Sequence, residues 1–107
     1  MNNACFEVVK WKSKPGISDG EMINAINDIA VDLKSCKGFL HQTLYKDSNN
    51  EWVDIYYWED EASAHASNDI MAEKKSFSAL MSLIDPASVS LDVLSALQSS
   101  GKVTIGK

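Results

Sequence analysis

The sequence predicts an α+β domain of order β-α-β-β-α-β, a four-stranded antiparallel sheet with two helices on one face. Three observations carry that reading. Runs rich in β-branched and aromatic residues are separated by turn formers, a serine capping box opens a helical repeat, and Asp47-Ser48-Asn49-Asn50 divides two strand-like segments. A chain of 107 residues gives one domain, expected over residues 1–98, with residues 99–107 as a flexible tail.

The elements follow in order. Residues 5 to 12, CFEVVKWK, read as a first strand, which Lys14-Pro15-Gly16 ends. Ser18-Asp19-Gly20-Glu21 has the capping-box pattern, so a helix starts there. Met22, Ile26, Ile29, Ala30 and Leu33 form its apolar stripe, Lys34 and Lys37 suit its negative end, and Gly38 suits its stop. Phe39 to Lys46 and Glu51 to Trp58 are the second and third strands, joined as a hairpin. From Asp60 the helical period returns, with Ala62, Ala66 and Ile70 on one stripe, and after Lys74-Lys75 the stripe resumes at Phe77, Leu80, Met81 and Ile84. Asp85-Pro86 ends it. Ser88 to Leu97 alternates, with Val89, Leu91 and Val93 on one side, and reads as the last strand.

Composition narrows the partners. Net charge is −5 and all ten positive charges are lysines, which argues against nucleic acid and anionic membrane, since both reward basic patches and arginine in particular. Cys5 and Cys36 match neither a metal-ligand spacing nor a disulfide framework, no charged-then-apolar leader precedes the first strand, and a cytoplasmic location is expected. No stretch approaches the roughly 20 apolar residues that cross a bilayer. Neither cofactor nor metal is expected.

Right-handed crossovers place both helices on one face, the ferredoxin-like arrangement, and leave the other face bare. A four-residue hairpin loop would set Lys46 opposite Glu51. That register puts Leu40, Gln42, Leu44, Val53, Ile55 and Tyr57 under the helices. It puts Phe39, His41, Thr43, Tyr45, Trp52, Asp54, Tyr56 and Trp58 on the bare face, where five aromatics stand among a histidine, an aspartate and a threonine. A bare patch of that kind exceeds the few hundred Å² a monomer usually tolerates, on the order of 300–600 Å², so a homodimer packed sheet to sheet is expected.

Lys14-Pro15-Gly16 after the first strand, Lys37-Gly38-Phe39-Leu40 before the second, Tyr57-Trp58-Glu59 closing the third and the alanine-rich helix behind it resemble the dimeric α/β-barrel superfamily, most of all its antibiotic biosynthesis monooxygenase domains. The resemblance spans about residues 5 to 97. It implies the ferredoxin-like fold paired into a barrel and, for some members, cofactor-independent oxygenation of polycyclic phenols. Heme-degrading members use an asparagine on the first strand and a tryptophan and a histidine on the second helix. Here that strand has no asparagine, the helix around Asn68 has no tryptophan, and residues 70 to 84 contain no histidine. The family's cofactor-free members also employ an arginine or asparagine near the substrate. This chain has no arginine, so Lys10, Lys12 or a neutral donor would have to meet an anion.

A cofactor-free oxygenase needs a dry pocket, a base and donors to an oxyanion. His41 and Tyr56 are the candidate catalytic residues, with Asp54, Thr43, Trp52, Trp58 and His65 as candidate binding residues for a small aromatic or apolar ligand. Each has a plainer reading. Tyr57 and Trp58 fill the corner beneath a helix, Glu59-Asp60-Glu61 is a helix start, and His65 pairs with Asp69 one turn on. The pocket lies either between sheet and helices or in the lumen of the barrel. The competing function is a non-catalytic ligand-binding or structural dimer, in which His41, Asp54 and Tyr56 satisfy one another.

Overall fold

The computed structural model describes residues 4–101. Its elements are β1 (Cys5–Trp11), α1 (Asp19–Leu33), β2 (Phe39–Lys46), β3 (Trp52–Trp58), α2 (Glu61–Ala72), α3 (Lys75–Met81), a 3-10 turn at Pro86–Ser88 and β4 (Ser90–Ser95). The strands form one antiparallel sheet in the order β2-β3-β1-β4, which is the expected ferredoxin-like topology. Most of the expected tail, residues 102–107, lies outside the described residues.

Local chemistry sets the boundaries. Ser18 caps α1 as a full capping box: its Oγ accepts from the Glu21 N–H at 3.1 Å, and the Glu21 carboxylate accepts from the Ser18 N–H at 3.0 Å. The Asp60 carboxylate caps α2 through the Ser63 N–H at 2.8 Å, which also holds Asp60 below its usual pKa. The Ser18 cap contributes about 1 kcal/mol. Gly38 adopts φ +83, and a Cβ there would collide with the Ser63 side chain, so only glycine lets β2 start this close to α2.

The expected second helix is two. It breaks after Ala72 and restarts at Lys75 as α3, which has no side-chain cap and packs against α1. The buried stripe of α2 is Ala64, Ser67 and Met71, not Ala62, Ala66 and Ile70, which face solvent. Three stripes of small residues share this helix, and sequence spacing alone does not rank them. The α1 stripe has Met22, Ile26, Ile29 and Leu33 buried as expected, with Ala25 buried too and Ala30 only half-buried.

The hairpin overturns the expected faces of β3, while Gln42 and Leu44 of β2 lie under the helices as expected. Its loop is Asp47 to Glu51, closed by the Asp47 N–H to the Glu51 carbonyl at 2.9 Å, and Lys46 pairs with Trp52 rather than Glu51. The Asp47 carboxylate accepts from the N–H groups of Asn49 and Glu51, both at 2.9 Å, and Asn50 takes the left-handed φ of 62, so the turn holds one more residue than a four-residue loop. A one-residue slip exchanges the faces along a whole strand. The helix-covered face therefore carries Gln42 and Leu44 of β2 with Trp52, Asp54, Tyr56 and Trp58 of β3, opposite Cys5, Glu7, Val9 and Trp11 of β1. Val53, Ile55 and Tyr57 face away from the helices with His41, Thr43 and Tyr45. Leu40, expected in the core, sits at a β-bulge between Phe39 and His41 and is exposed.

Candidate functional site

A cavity of about 320 Å³ lies between the helix-covered face of the sheet and α1, α2 and α3. Ligand pockets commonly run from about 300 to 1,000 Å³, so this one admits a small molecule. Its wall is mostly apolar, with Val9, Leu33, Phe77, Leu80 and Leu91 among its residues. Four lining residues carry side-chain polar groups: Glu7, Trp11, Tyr56 and Asn68.

The alternation of β1 and β3 places these groups. Glu7 and Tyr56 are cross-strand partners, so they stand side by side on the covered face. Glu7 is 3% exposed, and one carboxylate oxygen accepts from the Trp58 indole N–H at 3.0 Å. Burial raises the Glu7 pKa, with the Trp58 hydrogen bond and the charge of nearby His65 opposing and Asp54 adding to it. Asp54 is fully buried and accepts from the Gln42 amide at 2.6 Å and from the Tyr56 hydroxyl. Desolvation pushes Asp54 up to about 6 against those two hydrogen bonds. Tyr56 is pushed well above 10.0 by burial and by the Asp54 charge, so its phenol stays neutral and donates. The Trp11 indole N–H is buried without a partner, the only such side-chain polar atom among the described residues. An unpaired buried donor costs about 1–3 kcal/mol, which an acceptor brought by a ligand would recover.

The sequence-predicted residues divide. Asp54, Tyr56 and Trp58 come together under the helices, Tyr56 in the cavity wall and the other two fixing its polar groups. Trp52 shares that face but lies at the far end of β3, where its N–H donates to Ser13 Oγ at 2.8 Å. His41 and Thr43 are on the other face. Their pairing is with each other at 2.9 Å, and His41 packs edge-on against Tyr57, so the expected cluster of His41 with Asp54 and Tyr56 does not form. His65 is exposed on α2 and pairs with Glu61 at 3.3 Å rather than with Asp69. Lys10 pairs across to Val53 and Ser90 on the open side, and no lysine lines the cavity.

Glu7, Trp11 and Gln42 were not singled out from the sequence. Glu7 carried a readable signal, a lone acid between Phe6 and Val8 in an otherwise apolar strand half. Among the described residues no group of three or more His, Cys, Asp and Glu is arranged to hold a metal ion. None of their helices is long and apolar enough to cross a membrane.

No family model and no curated protein sequence matches the chain. Solved structures do. SnoaB, a cofactor-independent oxygenase from Streptomyces nogalater, superposes with a TM-score of 0.71 at 17% identity, covering 94% of this chain and 99% of that one. A protein from Chloroflexus aurantiacus, provisionally named an antibiotic biosynthesis monooxygenase, gives 0.67 at 17% identity over 96% and 99%. A Nitrosomonas europaea protein of unknown function gives 0.68 at 14% identity over 95% and 97%. The chain thus has the fold of the antibiotic biosynthesis monooxygenase-like proteins over nearly its whole length.

Proposed function

We propose that the chain is one protomer of a cytoplasmic homodimer that binds a small aromatic or phenolic compound and oxygenates it without a cofactor. The observation that carries this reading is the cavity beneath the helices, an apolar chamber whose few polar groups include a buried carboxylate and a carboxylate-held phenol. An electron-rich phenol or anthrone that loses a proton can pass an electron to dioxygen itself, and the two radicals then combine. The protein's share is to exclude water, take the proton and meet developing negative charge with donors. On this reading Glu7 takes the proton and the Trp11 N–H is the donor, while the Tyr56 hydrogen stays with Asp54. Trp58 and Asp54 position Glu7 and Tyr56.

The open face, with Phe6 stacked on Tyr57 at 4.2 Å and Val8, Ile55 and Tyr45 around them, is the surface through which two copies would pair. His41 and Thr43 then serve the pairing, and a catalytic part for His41 would require a second pocket in the lumen between the sheets. Light scattering that returned a monomer of 11.8 kDa at micromolar concentration would remove the dimer.

A non-catalytic ligand-binding dimer is the second reading, favoured by the mutual satisfaction of Gln42, Asp54 and Tyr56. Oxygen uptake with anthrone-like and quinol substrates separates the two. Catalysis predicts uptake that falls at least tenfold in Glu7→Gln and in Tyr56→Phe. Uptake that is absent, or indifferent to both changes, leaves the binding reading.

A further inference from the structure

We infer that the cavity selects its ligand by charge: it takes an uncharged aromatic molecule bearing a hydroxyl donor, and Glu7 is the residue that reads that hydroxyl. This inference deepens the proposed function and rests on its placement of the ligand beneath the helices.

The wall fixes the ligand's chemistry. Of its four polar residues none is a cation, so nothing there neutralises a carboxylate, sulfate or phosphate on the ligand. Two acids are buried at the sheet side instead, Glu7 lining the cavity and Asp54 directly behind Tyr56. An anion entering would be desolvated beside like charge, the most costly arrangement a cavity can present.

Geometry adds the donor. The Trp58 N–H occupies one Glu7 oxygen, and no protein donor bonds the other among the described residues. An ionised carboxylate accepts only, so its ligand-side partner has to donate. The Tyr56 hydrogen is committed to Asp54, so toward the cavity the phenol oxygen offers lone pairs. The Trp11 N–H, unpaired at 1% exposure, sits four residues along the same strand face from Glu7. At about 3.3 Å of rise per residue the two backbones stand roughly 13 Å apart, with Val9 between them. The wall thus reads as an acceptor end, an apolar middle and a donor end, which suits a flat fused-ring compound with a hydroxyl at one end and an acceptor oxygen further along.

The test is isothermal titration of the full chain with three probes of one shape: 2-naphthol, its methyl ether 2-methoxynaphthalene, and 2-naphthoate. At about pH 8 Asp54, raised to about 6, is ionised. Naphthol should bind at least tenfold tighter than either of the others. In Glu7→Gln, whose amide oxygen still accepts from Trp58, both preferences should shrink to less than about threefold. Asp54→Asn is the second variant should the first fail to fold, and it should narrow the gap between naphthol and naphthoate by threefold or more. Equal binding of naphthol and naphthoate, no binding of any probe, or preferences that survive both substitutions would overturn the inference. A tenfold preference without oxygen uptake sinks only the oxygenase reading, and uptake without the preference sinks only this one.

Discussion

The two faces of the sheet are woven from the same strands, yet they treat polar groups in opposite ways. Under the helices, Glu7, Asp54 and Tyr56 are buried and each is bonded, to Trp58, Gln42 and one another. On the open face, the polar contact among the hairpin residues is His41 with Thr43, and large side chains such as Tyr45 and Leu94 stay exposed. A buried polar group without a partner is costly, so the covered face is locked into one arrangement before any ligand arrives. The open face is free of that constraint, and its energetics depend on what covers it. On the proposed function, preorganised chemistry belongs to the first surface and association to the second.

Neighbouring residues of β3 expose this difference most sharply. Trp58 is completely buried, and Trp58→Ala should cost about 3–5 kcal/mol in urea unfolding. Tyr57→Ala, one residue away on the open face, should cost far less per chain and shift assembly toward monomer. Equal losses with unchanged assembly would erase the distinction.

The next effect is in pH. Asp54 has an ordinary value of 3.8 and is raised to about 6 in the fold. Between those values the folded chain holds the proton more tightly than the unfolded one, so stability falls as pH rises through the window. The contribution is at most about 3 kcal/mol, fully lost above about 6. Glu7 is raised as well and acts in the same direction. The stability difference between wild type and Asp54→Asn, followed by chemical denaturation from acid to neutral pH, should carry this slope. A flat difference would mean that Asp54 is better solvated than its burial implies.

Smaller still is the hairpin that sets which residues share a face. Asn50 holds φ 62, so Asn50→Val should destabilise by about 1–2 kcal/mol while Asn50→Gly stays near wild type. Equal effects would show that the left-handed residue does not hold the register. Smallest is His65→Ala, which removes an exposed pair with Glu61 and should alter the melting free energy by less than about 0.5 kcal/mol.

These elements also show what a sequence discloses. Strand and helix order, the Ser18 capping box and the α1 stripe were legible because each rests on neighbouring residues. The face of β3 relative to β2 was not. It depends on one extra loop residue, fixed by the Asp47 carboxylate and the left-handed Asn50, and that single step moved Asp54 and Tyr56 from the bare face to the covered one. Tyr56, Asp54 and Trp58 were therefore expected on the bare face and stand on the covered one, and His41 was grouped with residues it does not touch. Glu7 escaped notice because its value comes from Tyr56 beside it and from Trp58, 51 positions away in the chain.

The central claim is that the ligand is bound beneath the helices, at the surface where polar groups are already fixed. Its most direct test is the response of indole and imidazole resonances to 2-naphthol in a heteronuclear NMR titration. The Trp11 and Trp58 N–H signals should move together, while Trp52, bonded to Ser13 away from the cavity, and His41 on the open face should stay in place. Shifts at His41 with Trp11 and Trp58 unmoved would put the ligand on the open face and contradict the account.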